Sequence, residues 1–250
     1  MARHRRKTKN FFSKTVWISS LLFFFTSFPV PADEPKPSGF LDYGNMTIRG
    51  DLPFELGWNK PGVNWKQYQK VVIAPIDTQY LMESDYWQEF GRSGEIQNDI
   101  KKIALYTRSA FERAFITDPQ KRFKVTYSMQ RDPSILRVEI ALTELTPNKV
   151  LLKTLGYVPF VGWASKAANL TNMSHVSIEI RLRDAQTGEI LAKFADRQKE
   201  PFTLVNIEQF SMYGFAEKRI DQWAAKLVET LNRKPGTVVE KSSSFTLKPW

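Results

Sequence analysis

Residues 176–183 read Val176-Ser177-Ile178-Glu179-Ile180-Arg181-Leu182-Arg183. In an extended chain Val176, Ile178, Ile180 and Leu182 point one way, and Ser177, Glu179, Arg181 and Arg183 point the other. Such a period of two, apolar on one side and polar or charged on the other, predicts a strand buried on one face only. Asp184-Ala185-Gln186-Thr187-Gly188-Glu189 follows as a turn, with Gly188 able to take a positive φ. Ile190-Leu191-Ala192-Lys193-Phe194-Ala195 returns as the partner strand. This hairpin is the core of an antiparallel meander from Ile135 to Arg197, interrupted by one apolar insertion.

Upstream, Ile135–Leu145 is a further strand with its apolar set at Leu136, Val138, Ile140 and Leu142, ended by Thr146-Pro147. Phe123–Tyr127 is another. Lys70–Ile76 is a continuous apolar run, which predicts a central strand covered on both faces and ending near Pro75. Two helices complete the pattern. Glu95–Phe115 carries Ile96, Ile100, Ile103, Tyr106, Ala110 and Phe111 at helical spacing, and Glu208–Leu231 carries Ala216, Ile220, Trp223, Leu227 and Leu231. The expected architecture is a single α+β domain, a mixed or antiparallel sheet of about five strands packed against two main helices. Trp223 is expected to join the helix layer on one sheet face.

Four segments divide the chain. Residues 1–32 have the parts of a secretory signal: a basic stretch from Arg3 to Lys14, an apolar stretch from Val16 to Phe25, and Val30-Pro31-Ala32 as a small-residue cleavage pattern. The apolar stretch is short of the roughly 20 residues that cross a hydrocarbon core. Cleavage near Ala32 into the periplasm is therefore the expected outcome, with an uncleaved inner-membrane anchor as the alternative. Residues 33–69 are an extended linker and aromatic-rich lead-in, read as irregular chain pinned down by residues such as Trp58 and Trp65. Residues 70–232 form the α+β domain, and 233–250 a flexible tail.

Composition narrows the chemistry. The net charge of +10 is uneven: six basic side chains and no acid lie in residues 1–32, and the remaining 30 basic and 26 acidic side chains leave only +4. So mild an excess, without a basic run outside the amino terminus, argues against a nucleic-acid partner. The chain has no cysteine, which excludes disulfides, thiolate metal sites and acylation of an amino-terminal Cys. No phosphate loop, metal-helix motif or dinucleotide fingerprint occurs, so no cofactor, metal ligand or catalytic residue is assigned. His175 stands alone at the head of a strand. Ser174 and Ser177 lie beside it in sequence, which does not make the geometry of a triad. Asp184 and Thr187-Gly188 are explained by a hairpin turn rather than by an aspartic-protease loop.

The insertion Val150–Met173 holds the strongest candidate for contact. Val158, Phe160, Val161 and Trp163 are apolar or aromatic residues without strand or helix period, suited to a protein partner or a bilayer surface. Lys153 and Lys166 flank them, which favours an anionic membrane surface.

Several of these landmarks resemble a bacterial envelope family known as a domain of unknown function, catalogued as three-three-one-three. They are Ser38-Gly39-Phe40-Leu41-Asp42-Tyr43, the strand Lys70–Ile76, Leu142-Thr143-Glu144-Leu145-Thr146-Pro147, Asp184–Glu189 and Asp221-Gln222-Trp223-Ala224. The resemblance implies a periplasm-facing α+β domain, lipoprotein-like, with no assigned chemistry; the missing Cys departs from the lipoprotein pattern. The functional expectation is a non-enzymatic periplasmic structural or interaction module, a subunit of a cell-envelope assembly with a protein partner. A carrier of a lipid or other apolar ligand is the alternative, followed by a carboxylate- or hydroxyl-based hydrolase, which requires convergent buried acids.

Overall fold

The computed structural model describes residues 37–83, 87, 94–146, 173–201, 213–234 and 236–240. Their strands are β1 (Thr47–Ile48), β2 (Leu56–Asn59), β3 (Lys70–Ile73), β4 (Lys124–Val125), β5 (Ile135–Thr146), β6 (Met173–Asp184) and β7 (Ile190–Pro201). The helices are the single turn α1 (Gln79–Met82), then α2 (Gly94–Ile116) and α3 (Gly214–Asn232), with a short 3-10 helix at Trp65–Gln67. One mixed sheet runs in the order β1-β2-β7-β6-β5-β3-β4. β3 lies parallel to both β4 and β5, and the other pairs are antiparallel.

The α+β architecture holds, but the sheet has seven strands rather than about five. All five expected strands are present. The two added ones, β1 and β2, come from the lead-in that reads as irregular chain. They are two and four residues long, in a stretch punctuated by Gly and Pro that shows neither an apolar run nor a period. β2 becomes a strand because β7 offers it an open edge, Leu56–Asn59 pairing with Ala195–Ala192.

Alternation along β5 and β6 decides what the helices cover. Leu136, Val138, Ile140 and Leu142 share one face with Val176, Ile178, Ile180 and Leu182, all at most 1% exposed. Ile103, Phe111 and Phe115 of α2 and Ile220, Trp223 and Leu227 of α3 close over them in one apolar cluster. Burying each such side chain contributes about 1.5–3 kcal/mol relative to leaving it exposed. Thr107 reaches this layer with its hydroxyl donated to Ile103 O at 2.7 Å. Trp223 joins the layer as expected, and its Nε1 donates to Asp196 Oδ2 at 2.6 Å. β3 is covered on both faces, with Val71, Val72 and Ile73 all buried.

A register shift between Leu142 and Glu144 changes the phase of β5. The bulge puts Leu145 opposite Val176, in the apolar cluster, and Glu144 opposite Ser177 on the far face. Without it, Glu144 would enter the core.

Candidate functional site

The alternation that buries the apolar face leaves a row of charges on the other. Glu139 lies opposite Arg181, Ala141 and Ala195 lie on either side of Glu179, and Lys193 is opposite Arg181 on β7. The sequence predicts that this face of β6 meets solvent. It does not: Glu179 is 1% exposed, and Ser177 and Lys193 are also buried.

The cover is the lead-in. Ala141 and Ala195 have side chains of one carbon, so the sheet is low on both sides of Glu179, and Phe40 and Leu41 pack there. Their backbone turns its donors toward the carboxylate. Glu179 accepts from Ser38 N at 3.2 Å, Leu41 N at 2.9 Å and the Tyr43 hydroxyl at 3.0 Å. Gly39 makes this approach with φ of 104°, a conformation that a side chain resists. The Arg181 guanidinium sits 4.1 Å from the Phe40 ring centre and donates to Phe40 O at 3.0 Å. Arg181 and Arg183 both donate to Glu139. Lys193 Nζ completes the clasp by donating to Asp42 O at 2.6 Å and Asn45 Oδ1 at 2.8 Å.

Burial pushes the Glu179 carboxyl up from its ordinary value, against the donors that favour its charged form. Burial, then the neighbouring Glu179 charge, pushes the Tyr43 hydroxyl up as well. A raised carboxyl is the kind of group that acid–base chemistry uses. Here its oxygens are met by Ser38, Leu41 and Tyr43 of the same chain, so the arrangement anchors the lead-in.

A second cluster lies at the bulge. Arg197 grips Glu144 through Nε at 2.5 Å and Nη2 at 2.8 Å, and the Ser177 hydroxyl donates to Glu144 Oε2 at 3.1 Å. His175 Nδ1 is 3.6 Å from Glu144 Oε1. Burial, and then Lys199, push the His175 imidazole down, so it is neutral near pH 7 and does not form a charge pair there. His175 and Ser177 thus converge on one carboxylate. The relay of a triad, hydroxyl to imidazole to acid, is a different arrangement.

Asp184 behaves as the turn reading expects. Its Oδ1 accepts from Gln186 N and Thr187 N, each at 2.8 Å, and its Oδ2 from the Tyr68 hydroxyl at 2.8 Å. Burial raises this carboxyl, but the Thr187, Tyr68 and Gln186 donors outweigh it and hold it below the ordinary range. Gly188 takes φ of 75° in the same turn. Tyr68, desolvated and donating to Asp184, is pushed up to about 12.

The contact candidates Val158, Phe160, Val161 and Trp163 lie outside the described residues, as does the cleavage pattern at Val30–Ala32. Among the described residues no helix is long and apolar enough to cross a membrane. Sequence reasoning placed Glu179 and Arg181 on the open face of the strand and gave Lys193 no role. Two signals point to them: Ala141 and Ala195, small residues in a sheet of large ones, and the Gly39-Phe40-Leu41 stretch that needs a surface to bind.

Comparison with known proteins bears on the family. No curated protein matches this sequence. Among solved structures it is similar to a PelC dodecamer from Paraburkholderia phytofirmans, with a TM-score of 0.37, 9% identity, and coverage of 68% of this chain and 95% of that one. It is also similar to protein XCC0632 from Xanthomonas campestris, a DUF330 protein, with a TM-score of 0.38, 11% identity, and coverage of 69% and 89%. Lipoprotein GNA1162 from Neisseria meningitidis has a TM-score of 0.23 and 11% identity, with coverage of 62% and 98%. Likenesses this low carry nothing about activity or assembly. The family match is of another kind, because it spans the lead-in clasp, the whole sheet and most of α3: the model described as Protein of unknown function (DUF3313) matches residues 36–227, and the chain belongs to that family.

Proposed function

We propose that this protein is a non-enzymatic interaction module facing the periplasm, a subunit of a cell-envelope assembly. The observation that carries the reading is where its buried acids go. Glu179 binds Ser38, Leu41 and Tyr43. Asp196 binds Glu55 N, Gln198 and Trp223. Asp184 binds its own turn and Tyr68. Each carboxylate joins segments distant in sequence or closes a turn, which leaves it poorly placed to attack or protonate a substrate.

Contact surface is the counterpart of that economy. The apolar stretch with Val158, Phe160, Val161 and Trp163 is the first place to expect a protein partner, with a peripheral contact to an anionic membrane surface beside Lys153 and Lys166. Both sheet edges add to it. β1 exposes Ile48, and Tyr127 is 67% exposed just beyond β4.

Photo-crosslinking residues placed at Phe160 and Trp163 in living cells test the reading. A discrete crosslinked species, lost in Trp163→Asp while the protein stays folded, is the expected result. A monomer that crosslinks to nothing overturns it, as does substrate turnover by the purified protein that Glu179→Gln abolishes.

A further inference from the structure

A cavity of about 740 Å³ opens between the 3-10 helix, β7 and the C-terminal end of α3. That volume lies within the range of roughly 300–1,000 Å³ typical of small-molecule pockets. Its walls have two characters. Trp65, Phe194 and Leu231 supply apolar surface, whereas Lys66, Arg122, Lys234 and the Asp51-paired Arg233 supply positive charge; among the described residues no Asp or Glu lines it.

Arg122 is the informative cation. It is half-buried, it faces no carboxylate among the described residues, and two of its N–H groups go to backbone carbonyls, Leu231 O and Trp65 O, the latter at 2.8 Å. Burial pushes it down from its ordinary value with no acid nearby to oppose this. Lys66 and Lys234 likewise form no ion pair among the described residues. Partly desolvating a guanidinium without a counter-charge is costly, and a bound anion removes the cost. The C-terminus of α3 works against an anion through its partial negative charge. Arg122 offsets that by capping the Leu231 carbonyl.

A neutral apolar guest would leave the cations unmet. An inorganic anion would leave Trp65, Phe194 and Leu231 against water.

We infer that this cavity binds a small amphiphilic anion, a carboxylate or phosphate carried on an apolar body. The apolar body lies against Trp65, Phe194 and Leu231; the anionic head is held by Lys66, Arg122 and Lys234. The site is independent of the contact role proposed above.

Calorimetric titration of the full chain with decanoate, decyl phosphate, decanol and inorganic phosphate tests it. Decanoate or decyl phosphate should bind about tenfold or more tighter than either decanol or inorganic phosphate. Whichever of the two anions binds better says whether a fatty acid or a phosphate headgroup is the source. Arg122→Gln risks the fold, because the guanidinium also ties Leu231 to Trp65. The exposed pair Lys66→Glu with Lys234→Glu avoids this and should weaken the anions about tenfold without changing decanol. Decanol or inorganic phosphate binding as tightly as the amphiphilic anions, no binding at all, or anion binding indifferent to these variants would overturn the inference.

Discussion

The two faces of the sheet are buried by different physics. On the helix face, Val176, Ile178, Ile180 and Leu182 meet α2 and α3 through contacts that have no direction. On the opposite face, Glu179 is as buried as those residues, yet it is held by three donors aimed at two oxygens. The first kind of surface accepts volume-conserving exchanges among aliphatic residues. The second responds to the loss of one atom, because an unmet buried polar group costs more than its hydrogen bond contributes. The helix face therefore sets how stable the domain is, and the charged face sets where the lead-in lies.

That contrast can be broken by mutation. Trp223→Ala should have the largest effect: it opens a cavity in the helix face and removes the indole donor from Asp196, costing about 3–5 kcal/mol in urea unfolding. A loss below about 1 kcal/mol would mean that the helices are not packed on the sheet in this way. Glu179→Ala should cost about 2–3 kcal/mol, less than the tryptophan. Its signature is local, with proteolysis appearing within residues 38–46 under conditions where the remainder stays resistant. If Glu179→Ala leaves that segment protected, packing of Phe40 and Leu41 holds it rather than the carboxylate.

Acid sharpens the comparison. The Asp51 carboxyl is lowered to about 2, first by its hydrogen bond to Arg49 and also by Arg233. A folded value below the unfolded one stabilises above pH 3.8 and loses that stabilisation as pH falls through about 2. Because Asp51 is partly exposed, the effect should stay under about 1 kcal/mol. Asp51→Asn should remove this part of the acid sensitivity, which pH-dependent unfolding midpoints would record. Glu179 runs the opposite way. Its raised carboxyl contributes stability below the unfolded value, and that contribution fades as pH rises through the folded one. Smallest of all, Lys60→Ala removes the exposed pair with Glu189 and should change stability by no more than about 0.5 kcal/mol.

Particular residues show how far the chain could be read without its structure. The strands β5 to β7 and both long helices follow from periodicity, because each has enough residues for its apolar spacing to repeat, and β3 follows from its continuous apolar run. The turn at Asp184–Glu189 follows from local chemistry, which needs no distant partner. β1 and β2 did not register, since Gly and Pro punctuate the chain around them and they exist by pairing. The bulge at Leu142–Glu144 was equally hidden: it sets the phase of β5 through its partner Ser177. Trp223 was legible as a core residue, but its hydrogen bond to Asp196, 27 residues away, was not.

The amino-acid sequence by itself determined which residues could leave water together: the apolar halves of β5 and β6 and the stripes of α2 and α3, each written in a spacing of two or near 3.6. Only the tertiary structure decided what becomes of the charged half. Glu179 looks solvated in sequence, and a carboxylate is buried when donors from elsewhere replace its water. Those donors lie more than 130 residues away in the lead-in, a distance that no local pattern spans.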